Sequence, residues 1–223
     1  MALSLRLKTI AKYTDGYESL ADIACDHGYL GIYAAKTYGI KDVLLTDINP
    51  MPLASAQNNC KSANLEDVIR CKLGDGLAPL DRDYEVISIS GIGGLLLKEI
   101  LYKDLEKAKA AKRLILCPNT DLYEVRKFLA ENGFIIEAEE IILEHKYYEI
   151  IVSKFIGSNP DYSELELKYG PFLLKEKCSF FQNYYNEQLK LFEKQIKFVT
   201  DESAKEKLNK RIVEINQILT NKL

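Results

Sequence analysis

The sequence predicts an α/β fold whose mostly parallel sheet is covered by helices on both faces. Three observations carry that expectation. Over the first 155 residues, short β-branched runs alternate with longer stretches of helical period. Each run ends in a turn that holds Asp or Gly. The last two runs, Phe134–Leu143 and Lys146–Phe155, have only Glu144-His145 between them, too few residues for a crossover helix, so they should close an antiparallel hairpin. Five strand–helix units followed by a hairpin make a seven-stranded sheet with one reversed strand, an ending foreign to nicotinamide-binding Rossmann domains. The 223 residues, 47% hydrophobic and 28% charged, suffice for one such core and an extension.

Ser4 is placed to cap a leading helix with Leu5, Leu7, Ile10 and Ala11 apolar and Arg6, Lys8 and Lys12 polar. The first strand spans Ser19–Ala24, and its helix runs from Gly28 to Tyr38 with Gly39 as the stop. The second strand, Asp42–Thr46, ends at Asp47, and Asn49-Pro50 leads into a helix over Pro52–Ala63. The third, Val68–Leu73, opens into Gly74-Asp75-Gly76; the fourth, Tyr84–Ser90, opens into Gly91-Ile92-Gly93-Gly94. A helix over Leu95–Lys107 precedes the fifth strand, Arg113–Cys117, which runs into Pro118-Asn119-Thr120 and a last helix closed by Gly133.

Gly157-Ser158-Asn159-Pro160 reads as a linker, which divides the chain into a first unit of residues 1–157 and a second of residues 158–223. In the second, Phe181, Tyr185, Leu189, Phe192, Ile196 and Val199 recur at spacings of three and four, as do Leu208, Ile212, Ile215 and Leu219, with Thr200-Asp201-Glu202-Ser203 between them. Two antiparallel helices in a coiled-coil-like hairpin are expected, docked through Leu165–Leu174. From residue 160 onward 11 Lys+Arg face 10 Asp+Glu, the balance of a solvated helix surface. A monomer is the expected state in preference to a homodimer.

No apolar run reaches the length of a membrane span, and Met1–Ile10 lacks the apolar core of a signal peptide, so a cytoplasmic protein is expected. Five cysteines without a CxxC pair and two histidines support neither a disulfide framework nor a metal cluster, and no metal is expected. A net charge of −3 gives no whole-molecule attraction to nucleic acid, so any such binding needs a local basic face.

In open parallel sheets ligands bind at the carboxyl ends of the strands, so these turns should converge on one crevice. Asp22-Ile23-Ala24-Cys25-Asp26-His27-Gly28 follows the first strand without forming a GxGxxG loop, and Ala24-Cys25 leaves little room for a pyrophosphate. Asp47 stands where a carboxylate can accept both hydroxyls of a ribose, and Asp75 where one can receive an adenine amine. Acids after three successive strands disfavour a polyphosphate and suit a nucleoside bearing a sulfonium cation. S-adenosylmethionine fits that set better than NAD or ATP.

Asp22-Ile-Ala-Cys-Asp-His-Gly-Tyr-Leu30, Asp47-Ile-Asn-Pro50, Leu73-Gly-Asp-Gly-Leu77, Ser90-Gly-Ile-Gly-Gly94, Leu116-Cys-Pro-Asn119 and Tyr169-Gly-Pro-Phe-Leu173 together resemble the bacterial tRNA (adenine-N1)-methyltransferase family that modifies adenine 22 of tRNA. The resemblance spans nearly the whole chain. It implies a class I, Rossmann-like methyltransferase fold, S-adenosylmethionine as donor, tRNA as substrate, and a C-terminal coiled coil that helps to engage it. This chain departs from the family pattern at Ala24-Cys25, at Ser90-Gly91-Ile92 and at Cys117, which stands in place of Gln. Carried over residue by residue, Asp22, Asp26, His27 and Gly28 would line the methionine end of the donor, Asp47 and Ile48 its ribose and ring, and Asp75 and Gly76 its adenine edge, with Gly91 and Gly93 passing beside the methyl. Asp26, Tyr29 and Asn119 are the candidate catalytic residues: Asp26 or the Asn119 carbonyl to face the cation that forms on the acceptor ring, and Tyr29 to stack on an extruded adenine. Arg6, Tyr29, Gly94 and Asn119 are the candidate substrate contacts. A methyltransferase of this fold with a protein or small-molecule substrate, and a non-catalytic RNA-binding scaffold, remain alternatives.

Overall fold

The Ser4 Oγ accepts the Leu7 N–H at 3.2 Å and caps α1 (Leu5–Lys12). The computed structural model describes residues 3–220; Met1-Ala2 of the expected first unit and residues 221–223 of the second lie outside the described residues. Beyond α1 the chain runs through β1 (Ser19–Ile23), α2 (Tyr29–Tyr38), β2 (Asp42–Asp47), α3 (Pro50–Ser62), β3 (Ile69–Leu73), β4 (Val86–Ser90), α4 (Gly94–Lys103), α5 (Leu105–Ala110), β5 (Arg113–Cys117) and α6 (Leu122–Glu131). The hairpin of β6 (Phe134–Leu143) and β7 (Tyr147–Phe155) follows, and then α7 (Glu164–Tyr169), α8 (Pro171–Glu176), α9 (Ser179–Gln195) and α10 (Glu202–Thr220).

The seven strands lie in the order β3-β2-β1-β4-β5-β7-β6, with β7 antiparallel to both neighbours, as the hairpin argument predicts. Because the order reverses between β1 and β4, the loops leaving those two strands part and open a crevice. The apolar residues of β1 alternate between the two covering layers. Ala21 and Ile23 pack with α4 and α6, whereas Leu20 packs with α1, α2 and α3, and Asp22 shares the Leu20 face. Two glycines set how closely α2 approaches β2: a Cβ on Gly28 would meet Leu45 Cδ1 at 2.6 Å, and one on Gly31 would meet Leu45 Cδ2 at 2.7 Å.

Several boundaries differ from the sequence expectation, each for a local reason. The first strand stops at Ile23 because Ala24 turns to φ +56°. Helix α3 starts at Pro50, whose missing N–H costs nothing in the first turn. The single helix expected over Leu95–Lys107 is broken at Asp104 (φ −123°, ψ 47°), and the Lys107 ammonium ties the second piece to the carbonyls of Leu77 and Ala78 at 2.9 and 3.1 Å. Gly170, at φ +87°, likewise divides the expected Leu165–Leu174 segment into α7 and α8.

The α9–α10 pair is antiparallel: the start of α9 (Phe181, Tyr185) packs with the end of α10 (Ile215, Ile218), and Arg211 lies over Phe192. Its fully buried residues sit at this base, against Ile141 of β6, whereas the distal half holds only exposed or half-buried side chains. A coiled-coil seam along the whole pair is therefore not what closes it.

The tail is fastened through a buried ion triad. The Arg126 Nε donates to Glu139 Oε1 at 2.7 Å and its Nη2 to Glu149 Oε2 at 2.5 Å, all three side chains being enclosed. Further bonds run from Arg126 Nη1 to the Leu167 and Lys168 carbonyls at 3.4 and 3.3 Å, and from the Phe172 N–H to Glu139 Oε2 at 3.0 Å. Burial opposes the Arg126 charge, but the two carboxylates outweigh it and raise its pKa; burial pushes Glu149 up against the pull of Arg126. Arg126→Met leaves two carboxylates enclosed without a cation, and breaking such a site costs about 3–5 kcal/mol. Denaturant unfolding should show that loss, and a change under about 1 kcal/mol would mean that the triad contributes no more than a surface pair.

Candidate active site at the carboxyl ends of the strands

The loop after β1 is wound tightly. Ala24, Asp26 and Gly28 take φ of 56°, 51° and 72°, the first two at a cost that L residues rarely bear. What holds them is a set of backbone bonds: Cys25 N–H to the Thr46 carbonyl at 3.0 Å and Gly28 N–H to the Cys25 carbonyl at 2.8 Å. Asn59 Nδ2 on α3 adds a bond to the His27 carbonyl at 3.0 Å. Asp47, 7% exposed at the end of β2, accepts the Asn49 N–H at 2.8 Å and lies 3.4 Å from the Asp26 N–H. The β1 loop and the β2 end thus form one rigid wall.

That wall borders a cavity of about 500 Å³, lined by Arg6, Asp22, Asp26, His27, Tyr29, Asp47, Ile48, Asp75, Gly76 and Gly91 together with apolar side chains such as Pro52, Leu96 and Ile100. Asp22 is its most unusual member. The side chain is 2% exposed, and no hydrogen-bond or ion-pair partner for it exists among the described residues. Burial, reinforced by Asp47 and opposed by Arg6, pushes its pKa up to about 8. A carboxyl enclosed on a cavity wall without a hydrogen-bond partner has the chemistry to receive a cation from outside. Arg6 lines the same cavity and lies close to Gly91: a Cβ there would come 3.3 Å from its Nη1, and the φ of +84° itself favours glycine. An acid beside a guanidinium matches the ammonium and carboxylate of an amino acid, and the apolar side offers a face for a flat ring.

Cys25 and Cys117 are held as thiols. Burial and the neighbouring Asp22 push the Cys25 thiol far up, and burial holds Cys117 at about 11 even with Arg6 and Lys146 pulling down.

The model of the family described as tRNA (adenine(22)-N(1))-methyltransferase, TrmK, matches residues 20–219. This chain belongs to the TrmK family. The tRNA (adenine(22)-N(1))-methyltransferase of Bacillus subtilis is 32% identical over 196 residues, covering 85% of this chain and 82% of that protein. The crystal structure of the B. subtilis m1A22 tRNA methyltransferase TrmK is 28% identical, with a TM-score of 0.86 over 98% of this chain and 99% of that one. The Mycoplasma capricolum TrmK structure, solved with the cofactor product S-adenosyl-homocysteine, is 26% identical, with a TM-score of 0.87 over 98% of each chain.

Within this TrmK chain the residues singled out by sequence do not all reach the cavity. Asp22, Asp26, His27, Asp47, Ile48, Asp75, Gly76 and Gly91 line it, as does Tyr29, whose ring lies 5.6 Å from that of His27. Gly28 lies behind the wall, where it lets α2 pack on β2. Gly93 is the cap of α4, and Gly94 faces the next loop, where a Cβ would meet the Thr120 carbonyl at 2.4 Å. Asn119 is committed to structure: its Nδ2 donates to the Gly91 carbonyl at 2.6 Å, its N–H to the Ile92 carbonyl at 2.8 Å, and its Oδ1 accepts Lys146 Nζ at 3.3 Å. Asp75 pairs with Lys103 at 2.5 Å, which leaves its second oxygen for a ligand.

Arg6, expected on the substrate side, is placed in the cavity itself, steadied over the Tyr148 ring at 5.2 Å. Sequence reasoning missed Leu96 and Ile100 of the apolar wall, Lys103, and the Tyr148–Lys146 pair. The spacing of Leu96 and Ile100 by four after the Gly93-Gly94 turn was the available signal for the apolar wall; nothing local announces the others.

Proposed function

We propose that this chain transfers the methyl group of S-adenosylmethionine to N1 of adenine 22 in tRNA. The observation that carries the reading is Asp22, an enclosed acid with no hydrogen-bond partner among the described residues, set beside Arg6 and Asp47 in a cavity of a TrmK-family fold. Asp22 would take the α-ammonium of the donor, Arg6 its carboxylate, and Asp47 the ribose hydroxyls; Ile48, Leu96 and Ile100 would flank the ring, with the free oxygen of Asp75 toward its amine. When bound, the donor supplies an electrophilic methyl on a sulfonium.

The residues then have little covalent work to do. N1 of adenine carries an in-plane lone pair and no proton, so no general base is required, and rate comes from alignment and electrostatics. The left-handed Gly91 lets the backbone pass close to the reacting centre. Asp26, on the rim with its side chain 71% exposed, would face the positive charge that develops on the acceptor ring. Tyr29, beside it, would stack on the extruded base. Asn119 would act through the Gly91 carbonyl, as a positioning residue.

Residues 1–157 would form the catalytic unit, and residues 158–223 a helical unit that helps to engage tRNA. The α9–α10 contact is satisfied within one chain, which favours a monomer. Among the described residues no helix is long and apolar enough to cross a membrane, and no group of three or more His, Cys, Asp or Glu could hold a metal. With tRNA as substrate, the cytoplasm is the expected compartment.

The chemistry is tested by digesting tRNA incubated with the protein and donor. 1-Methyladenosine that depends on both components is the expected product; N6-methyladenosine would contradict the proposed function.

A further inference from the structure

Between residues 3 and 157, cations without a counter-ion are few. Among the described residues of 3–157, every Lys and Arg has a carboxylate within 4 Å except Arg6, Lys8, Lys36, Lys61 and Lys146. Two of these five share one ring. Tyr148, 6% exposed, has the Arg6 guanidinium 5.2 Å and the Lys146 ammonium 4.9 Å from its centroid, while its hydroxyl bonds His145 Nε2 at 2.6 Å. The acids nearby on the same hairpin are engaged elsewhere. Glu144 accepts the Leu5 N–H at 2.6 Å, and Glu140 takes Lys12 and Tyr13.

Lys146 is therefore held by neutral partners alone, the Tyr148 ring and Asn119 Oδ1, although an ammonium normally secures an anion when one is in reach. Its place is informative. Asn119 bonds Gly91, and Gly91 lines the cavity, so Lys146 is linked to the cavity wall through one side chain at the end of β5. Arg6 points inward and is accounted for by the donor carboxylate. Lys146, exposed on the β6–β7 turn, is left over.

We propose that Lys146 receives a backbone phosphate of the RNA next to the nucleotide being methylated, with Tyr148 and Asn119 holding the ammonium ready. The proposal rests on the methyltransferase reading above and adds to it a substrate contact on the β6–β7 turn. A cation near the acceptor ring would oppose the charge that forms there, so its use is to position the strand, and its loss should appear in tRNA affinity ahead of turnover.

The test uses the full chain and an unmodified tRNA transcript carrying adenine 22, with binding followed by fluorescence anisotropy across a salt series. Lys146→Glu should weaken tRNA binding about tenfold or more at low salt, and Lys146→Ala should lower the slope of log K against log salt by about 0.7–0.9. Lys146→Arg should restore affinity to within about twofold, since one phosphate accepts either cation. Donor affinity by calorimetry and the melting temperature should stay at wild-type values in all three. Unchanged tRNA affinity and salt slope in Lys146→Glu, in a preparation whose wild-type protein methylates the transcript, would overturn the proposal. A lowered melting temperature and weakened donor binding with an unchanged salt slope would also overturn it, since they would make the residue a fastener of the Asn119 loop. Failure of the wild-type protein itself to methylate would strike at the underlying reading instead.

Discussion

Asp47→Arg should abolish donor binding, and Asp47→Ala should weaken it by about two to four orders of magnitude. Two hydrogen bonds from ribose hydroxyls to a charged acceptor contribute about 1.5–3 kcal/mol each, and each 1.4 kcal/mol is tenfold in affinity. The carboxylate also fixes the wall of the site, since it accepts the Asn49 N–H and lies over the Asp26 N–H. Charge reversal removes both functions and would place a cation beside the one the donor carries. Asp75→Ala should cost less than tenfold, because that carboxylate is already paired with Lys103. Calorimetric titration reads both effects. Donor affinity of Asp47→Arg within about fivefold of wild type would remove the ribose assignment.

Asp22 should make donor binding depend on pH. With its pKa at about 8 in the free protein, the side chain is mostly protonated at neutral pH, and it must ionise to hold an ammonium. Binding below pH 8 therefore releases a proton, and affinity should rise with pH by up to tenfold per unit between pH 6 and 8, then level off. Stability of the free protein runs the other way. The unfolded chain loses this proton near 3.8 while the folded chain keeps it to about 8, so stability should fall as pH rises through that window. Asp22→Asn should bind the donor weakly and without the pH slope. Calorimetry in two buffers of different ionisation enthalpy measures the released proton, and a wild-type affinity flat from pH 6 to 8 would show that Asp22 does not meet the ammonium.

The parts of this structure that were legible in the sequence are those set by local rules. Period and turn chemistry gave the five strand–helix units, Glu144-His145 gave the reversed strand, and the acids after β1, β2 and β3 pointed to the crevice because strand ends converge. What local rules cannot show is which distant segments fold onto that crevice. Arg6 lies on a helix that precedes the sheet, so its place beside Asp22 depends on how α1 docks, through Glu144 and Tyr148, more than 130 residues away. Arg126 reads as one polar position on an amphipathic helix, yet Glu139 and Glu149 enclose it. The glycines show the opposite: the motif turns place Gly28 and Gly94 among the expected ligand contacts, whereas in the fold Leu45 and the Thr120 carbonyl leave no room for a Cβ at either. Asn119 is tied to Gly91 by a bond no spacing rule reports.

The most direct test of the account is transfer of labelled methyl from S-adenosylmethionine into an unmodified tRNA transcript, compared with a transcript identical except for guanine at position 22. Label in the adenine transcript alone is the predicted result, and it would fix donor, acceptor and position together. Equal label in both transcripts, or none in either from a protein that binds the donor, would contradict adenine 22 as the acceptor.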